Sequence, residues 1–251
     1  NARDLLELWR RGEVVQYSLT LVEGWSFRQV RAALVRQEKL EQRLADLDDK
    51  ALMDRLGLAG VSPEGRFFPD TYRYVRGMSD LDLLKQASAR LDQVLDEEWA
   101  RRVDGLPYRK PYDALIMASM VEKETGVAEE RGQIAGVFVR RLRSGMRLQT
   151  DPTVIFGLGE RYNGNLTRAH LQQPTPYNTY VIDGMPPTPI ALAGREAIHA
   201  ALNPVAGKSL YFVARGDGSH VFSETLEQHN RAVREYQLKR RADYRSSPAP
   251  R

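Results

Sequence analysis

Residues 114–142 read "ALIMASMVEKETGVAEERGQIAGVFVRRL", and the fold turns on how that stretch divides. From Ala114 to Val121 the chain is almost wholly apolar; it then meets Glu122 and Glu124, and then Gly126. An apolar run without a polar face belongs to an element buried on every side. Met117, Met120, Val121 and Glu124 share one helical face, and Gly126 marks the helix end. A second helix follows from about Ala128 to Arg143, with Ile134, Val137, Phe138, Arg141 and Leu142 at helical spacing.

Upstream, "VVQYSLTLVEG" alternates like a half-buried strand, with Val15, Tyr17, Leu19 and Leu21 on one side. Leu5, Leu6, Leu8 and Trp9 suit a short helix before it that stops at Gly12. Ser26 is placed to cap a helix through Leu34. Residues 38–58 are charged and helical in pattern. Pro63, Gly65 and Pro69 break that pattern, and the main domain is expected to start near Gly60. A long amphipathic helix spans Ser79 to Arg102, with Asp80 and Asp82 in its first turn, where the helix dipole favours anions. Beyond Gly145, "LQTDPTVIFGLG", "YNTYVIDGMPPTPI" and "SLYFVARGDGSHVFS" read as short strands and proline-rich turns. A last helix is expected from Leu226 to about Arg241, before a disordered tail over 242–251. The sum is an α+β protein.

The bulk numbers set bounds. In 251 residues, 42% are hydrophobic and 28% charged, which is enough apolar material for a real core. The absence of cysteine excludes disulfides, thiolate metal sites and cysteine nucleophiles. A net charge of +4 is too small to argue for nucleic acid but suits an acidic polymer. No stretch reaches the ~18 apolar residues of a membrane helix. The chain begins "NARDLLELWRRGEV", without Met and inside a helical pattern, which reads as the trimmed end of a longer protein.

The two glutamates carry the chemistry. Residues two apart on a helix are rotated by about 200°, so Glu122 and Glu124 cannot act as one carboxylate pair. For Glu124, an apolar surround and the negative end of the helix dipole both penalise the anion and raise the carboxyl pKa. A carboxyl kept protonated near neutrality is what a general acid for glycosidic cleavage needs. Glu122, facing Leu115, Ala118 and Ser119, could equally be the acid, or could pair with an arginine. Periodicity leaves both open, and a solvated helix end is the ordinary reading of such charges.

Other motifs compete. The Asp-Pro turn of "RLQTDPT" (147–153) reads either as a site loop or as a capping turn. Tyr177, Asn178 and Tyr180 offer the flat faces and amides of a sugar groove. His220, Ser223 and His229 raise a Ser–His hydrolase, but no G-x-S-x-G elbow surrounds Ser223. The histidines lack metal spacing, so no metal and no cofactor are expected. Two helices broken at Gly126 outline a helix-turn-helix, yet Glu129 and Glu130 stand where base contacts should come, so no nucleic-acid partner is expected.

Taken together, "ASMVEKETGVAEERGQIAGVFVRRLRSGMRLQTDPTVIFGLG", "YNTYVIDGMPPTPI", "YFVARGDGSHVFSETLEQHN", "LVEGWSFRQV" and "EGRFFPDTYRY" resemble the YceG/MltG family of bacterial endolytic murein transglycosylases. The likeness runs from about Leu19 to Tyr236, with the motifs in family order. It implies an enzyme that cuts the MurNAc–GlcNAc β-1,4 bond of peptidoglycan strands without water, leaving 1,6-anhydro-MurNAc ends. The family pattern A-S-x-x-E-K-E is met by Ala118, Ser119, Glu122, Lys123 and Glu124. The resemblance makes Glu124 the catalytic acid, with Glu122 in reserve.

Gln149, Thr150, Asp151, Tyr177, Asn178 and Tyr180 are then assigned to substrate. Arg140, Arg141 or Arg147 would meet lactyl or stem-peptide carboxylates, unless they merely complement helix ends. Asp151 and Asp70 are the candidates for a second acid, should the enzyme be an inverting hydrolase. The resemblance further implies the remainder of a LysM-like module and a connector over 1–59, a catalytic domain over 60–241, and an N-terminal membrane helix that this chain lacks. That helix would hold the enzyme on the bacterial inner membrane, facing the periplasm or cell exterior, beside cell-wall synthesis proteins. The competing reading from the same motifs is a non-catalytic wall-binding module.

Overall fold

Strand β1 (Gln16–Thr20) opens the described part of the protein, residues 14–238 of a computed structural model. The helix expected at Leu5–Trp9 and the tail over 242–251 lie outside it. The expected strand forms with Leu19 and Leu21 buried, while Val15, at 72% exposure, falls before it. Ser26 caps helix α1 (Phe27–Val35) through a box closed by Gln29, as its position foretold. Helix α2 is confined to Asp49–Arg55.

The rest of the charged stretch 38–58 is not helical, because it is tied down from a distance. The Asp80 carboxylate, 2% exposed, accepts the backbone N–H groups of Arg43 (3.0 Å) and Leu44 (3.1 Å). Buried, charge-assisted bonds of this kind outweigh a local preference worth a few tenths of a kcal/mol per residue.

Strand β2 (Thr71–Val75) runs antiparallel to β1, with Tyr17 opposite and stacked on Tyr74 at 5.6 Å. The sheet, α1, α2 and the first half of helix α3 (Asp80–Ala100) enclose one apolar core, which includes Phe27, Val30, Leu52, Phe67 and Leu84. Strand β1 precedes Gly60 and β2 follows it, so this core draws on both sides of the boundary expected there.

The second core is built around helix α4 (Pro111–Glu124), in which every residue from Ala114 to Val121 is buried. It packs against α3, helix α5 (Arg131–Arg143), helix α6 (Asp151–Leu158) and helix α8 (Arg195–Leu202). Short helix α7 (Arg168–Gln172) lies between α6 and α8 in the chain. A hairpin of β3 (Tyr211–Ala214) and β4 (His220–Ser223) is followed by helix α9 (Leu226–Val233) and a π-helical turn over Arg234–Leu238.

"DPTVIFGL" is helical where a strand was expected. Val154, Ile155 and Phe156 favour strands only weakly, whereas Pro152 in the first turn and Asp151 beside it suit a helix start. The stretch 176–190 forms turns without a strand.

Helix α3 runs through both cores, and Leu192 ties them together a second time. Leu192 belongs to the chain that leads into α8, yet its fully buried side chain sits in the first core. Its backbone exchanges hydrogen bonds with Gly24 and Trp25, both at 2.8 Å. Below it, Gly65 holds φ +68, and a Cβ there would stand 2.4 Å from Cβ of Pro189, so the turn admits glycine alone. Leu192→Ala should lower unfolding free energy by about 3 kcal/mol, the usual cost of a buried Leu-sized cavity. Denaturant titration checks this, and a change below ~1 kcal/mol would mean that the plug contributes nothing beyond its neighbours.

Candidate active site

Helix α4 ends on Glu124 itself. Thr125 turns to extended backbone (φ −143, ψ 138), and its Oγ1 accepts the N–H of Val127 at 2.9 Å. The break is therefore made by Thr125, and Gly126 does not adopt the left-handed conformation expected of a helix-ending glycine. The two acids diverge at that end. Glu122 Oε2 accepts the Gly194 N–H at 3.0 Å, at the start of α8, and Oε1 lies 3.7 Å from Arg131 Nη2. Its side chain is 6% exposed, and burial raises its pKa.

Glu124 meets different company. Its Oε1 accepts the hydroxyl of Thr150, and among the described residues no cationic nitrogen lies within ion-pairing distance. The residue is half-buried. Burial raises its carboxyl pKa to about 7; the Thr150 hydroxyl and Arg141 oppose the rise, and Asp151 adds to it. The group thus holds its proton near neutrality.

Thr150 is delivered by a turn knit from buried hydroxyls. Its backbone N–H donates to Thr179 Oγ1 (3.0 Å), Thr179 and Thr153 share a hydrogen bond of 2.8 Å, and the Thr153 hydroxyl returns to Thr150 O (2.8 Å). Gln149 donates its N–H to Thr179 O (3.1 Å) and stands at φ +52, a left-handed conformation rare outside glycine. Asp151 is exposed, and its Oδ1 accepts the Tyr180 hydroxyl at 2.7 Å. That phenol's pKa is raised, first by burial and then by Asp151.

Gln149, Thr150, Asp151 and Tyr180 are therefore gathered beside Glu124. Tyr177 packs edge-on against Phe156 at 4.8 Å, and its hydroxyl reaches Thr188 at 2.9 Å. Asn178 is 1% exposed and serves its own loop. Its amide donates to the carbonyls of His170, Leu171 and Gln173, and its Oδ1 accepts the Tyr180 N–H.

The arginines are employed within the protein. Arg140 donates to Ser209 O (2.7 Å) and Val205 O (3.1 Å), and Arg147 to Asp183 (3.2 Å) and Tyr180 O (3.1 Å). Arg141 is buried among backbone carbonyls. Asp70 accepts the N–H of its neighbour Thr71, at the start of β2.

His220 is bonded through Nδ1 to Glu130 (2.7 Å), and Ser223, three positions on along β4, faces the opposite side of the strand. No Ser–His couple forms there. Among the described residues no three His, Asp or Glu side chains converge on a possible metal position. Thr153 and Thr179 were singled out by nothing in the sequence. They lie inside the quoted motifs, but hydroxyls at that spacing carry no periodic signal.

The α+β architecture has known counterparts. The chain belongs to the YceG-like family, whose pattern it matches over residues 1–235. It is 31% identical over 241 residues to the endolytic murein transglycosylase of Bacillus subtilis (strain 168), covering 88% of this chain and 65% of that protein. Its identity to the endolytic murein transglycosylase of Streptococcus pneumoniae serotype 2 (strain D39 / NCTC 7466) is 30% over 271 residues, 94% of this chain and 48% of the relative. The chain thus spans between about half and two thirds of the length of these relatives. The crystal structure of a YceG-like protein from Listeria monocytogenes matches with a TM-score of 0.71 at 31% identity, over 92% of this chain and 81% of that one. Among the described residues no helix is long and apolar enough to cross a membrane.

The raised pKa has a sign that can be measured. Between 4.5 and about 7 the folded Glu124 holds a proton that the unfolded chain has released, so stability falls as pH rises through that window. Glu64, buried and accepting the Phe27 N–H through both oxygens, is likewise raised to about 7 and contributes equally to wild type and variant. Glu124→Gln should therefore gain in Tm relative to wild type as pH goes from about 5 to about 8. Thermal melts that stay parallel across that range would show Glu124 to be an ordinary carboxylate.

Proposed function

We propose that the chain is the catalytic part of a peptidoglycan lytic transglycosylase in which Glu124 is the one acid and then the one base. The observation that carries this reading is the contrast at the end of α4. Glu122 is used up by Gly194 N–H and Arg131, while Glu124 keeps its proton and meets only a neutral hydroxyl. The murein transglycosylases among the relatives support the substrate class.

In the proposed reaction Glu124-COOH gives its proton to the leaving GlcNAc oxygen as the C1–O bond of MurNAc breaks. The carboxylate so formed takes the proton of the MurNAc C6 hydroxyl, whose oxygen closes on C1. One bond to C1 is exchanged for another, the glutamic acid is regenerated, and no water is consumed. The tethered C6 hydroxyl has a high effective concentration, so no second carboxylate is needed to activate a nucleophile. Gln149, Thr150, Asp151, Tyr177 and Tyr180 would line the strand's path, and the acetamido group of MurNAc would shield C1 between the two steps. Residues 1–59 would belong to a LysM-like module and connector, and the enzyme would be held at the bacterial inner membrane by a membrane helix, facing the periplasm or cell exterior, among cell-wall synthesis proteins.

Digestion of purified sacculi followed by mass spectrometry is the deciding experiment, since anhydro and hydrated ends differ by one water. Wild type should release anhydro-MurNAc ends, and Glu124→Gln should lose about 10³-fold or more in rate while remaining folded. The basic limb of kcat/KM should fall as pH rises through about 7, because the acid must enter the cycle protonated. Reducing ends would make the protein a hydrolase. Sacculus binding without cleavage would make it a wall-binding module, and an inactive Glu122→Gln beside an active Glu124→Gln would exchange the two roles.

A further inference from the structure

Arg141 is 7% exposed, and its guanidinium is spent on the backbone around the site. Nε donates to Leu210 O at 2.6 Å; Nη1 donates to Leu148 O at 2.8 Å, Arg147 O at 3.2 Å and Gln149 Oε1 at 3.4 Å. The group lies over the Tyr211 ring, 5.1 Å from its centroid. Among the described residues it has no carboxylate within ion-pairing distance. Burying a full charge to satisfy neutral carbonyls is costly, and a glutamine would supply only two donors on a single nitrogen. What the guanidinium alone offers is a rigid planar fork that can hold the strand leading into β3 with one edge and the 147–149 turn with the other.

We infer that Arg141 is the positioning residue for the catalytic carboxyl: its fork holds the Arg147–Gln149 turn in the shape that carries the Thr150 hydroxyl onto Glu124. Gln149 sits at φ +52, a conformation it would leave if the Arg147 and Leu148 carbonyls held by Nη1 were released. Thr150 follows directly in the chain, so its hydroxyl would leave Glu124 with it. The inference rests on the reading of Glu124 as the acid. It also reassigns Arg141, which the sequence offered as a site for substrate carboxylates, to the protein's own backbone. The other charged or titratable groups facing Glu124 are Asp151 and Tyr180, and neither is altered in the test.

The test compares Arg141→Lys, Arg141→Met, Thr150→Val and the double variant Arg141→Met/Thr150→Val in two measurements. The first is turnover on purified sacculi, split into kcat and KM across pH. The second needs no turnover: the titration of Glu124, read as the pH-dependent difference in Tm between each protein and its Glu124→Gln counterpart. Both Arg141 variants should lose about 100-fold in kcat, the scale of a slightly misplaced catalytic group, with KM changed less than ~3-fold.

The Glu124 titration should move to higher pH in Arg141→Lys, which keeps the charge, and in Thr150→Val, because both lose the hydroxyl that favours the anion. The double variant should be no worse than the poorer single one, since one residue acts through the other. A raised KM with kcat intact would make Arg141 a substrate contact. An unmoved titration, or losses that multiply in the double variant, would overturn the inference. If wild type releases no anhydro ends, the proposed function fails, and the titration still decides the positioning role. Should Arg141→Met not fold, Arg141→Lys decides.

Discussion

Helix α4 has no polar face from Ala114 to Val121, so it can exist only if the rest of the second core encloses it. Burying each Leu, Ile or Met side chain on it contributes about 1.5–3 kcal/mol. The surrounding helices α3, α5, α6 and α8 are arranged to collect that gain. The consequence lies at the helix end. The same apolar enclosure that stabilises the helix carries its last turn, with Glu122 and Glu124, into surroundings that disfavour charge. Burial raises both pKa values, but the two groups differ in what they find. Glu122 finds a backbone N–H and a guanidinium, so its carboxylate has structural partners. Glu124 finds a hydroxyl.

That difference makes the turn after α5 as important as the helix itself. A hydroxyl can donate to a carboxylate or accept from a carboxylic acid, so Thr150 can follow Glu124 through both protonation states. Its position depends on Thr153 and Thr179, which are fully buried and bonded to one another, and on a backbone turned through Gln149 in the left-handed region. Asp151 and Tyr180 close the other side, with the phenol donating to the carboxylate. An ionised Asp151 works against ionisation of Glu124, while Arg141 works for it; burial is the largest influence and sets the direction.

The first core is coupled to this site through backbone contacts near the end of α4. Lys123, between the two acids in sequence, donates to Gly24 O at 3.2 Å, and Leu192 is bonded to both Gly24 and Trp25. The sheet of β1 and β2 is thus held to the segment that starts α8, where the Gly194 N–H meets Glu122. A shift of one core against the other would be felt at the helix end that presents Glu124.

Sequence alone determined the helices whose signals are local. Ser26 and Ser79 begin α1 and α3, an unbroken apolar run makes α4, and spaced apolar side chains make α5. It also placed two acids at one helix end and put Gln149, Thr150, Asp151 and Tyr180 in motifs that the fold gathers beside Glu124. It could not give the path of residues 38–48, because Asp80 holds that path from more than thirty positions away. The helix at Asp151–Leu158 carries mixed local signals, β-branched and aromatic residues weakly favouring a strand and an Asp-Pro start favouring a helix, and packing against α4 decides between them. Only the tertiary structure decided which glutamate is bound to Gly194 and Arg131 and which is left with a hydroxyl. Both sit on the same turn with similar neighbours in sequence, and what separates them is the set of donors brought by distant segments, a property of packing that no local pattern encodes.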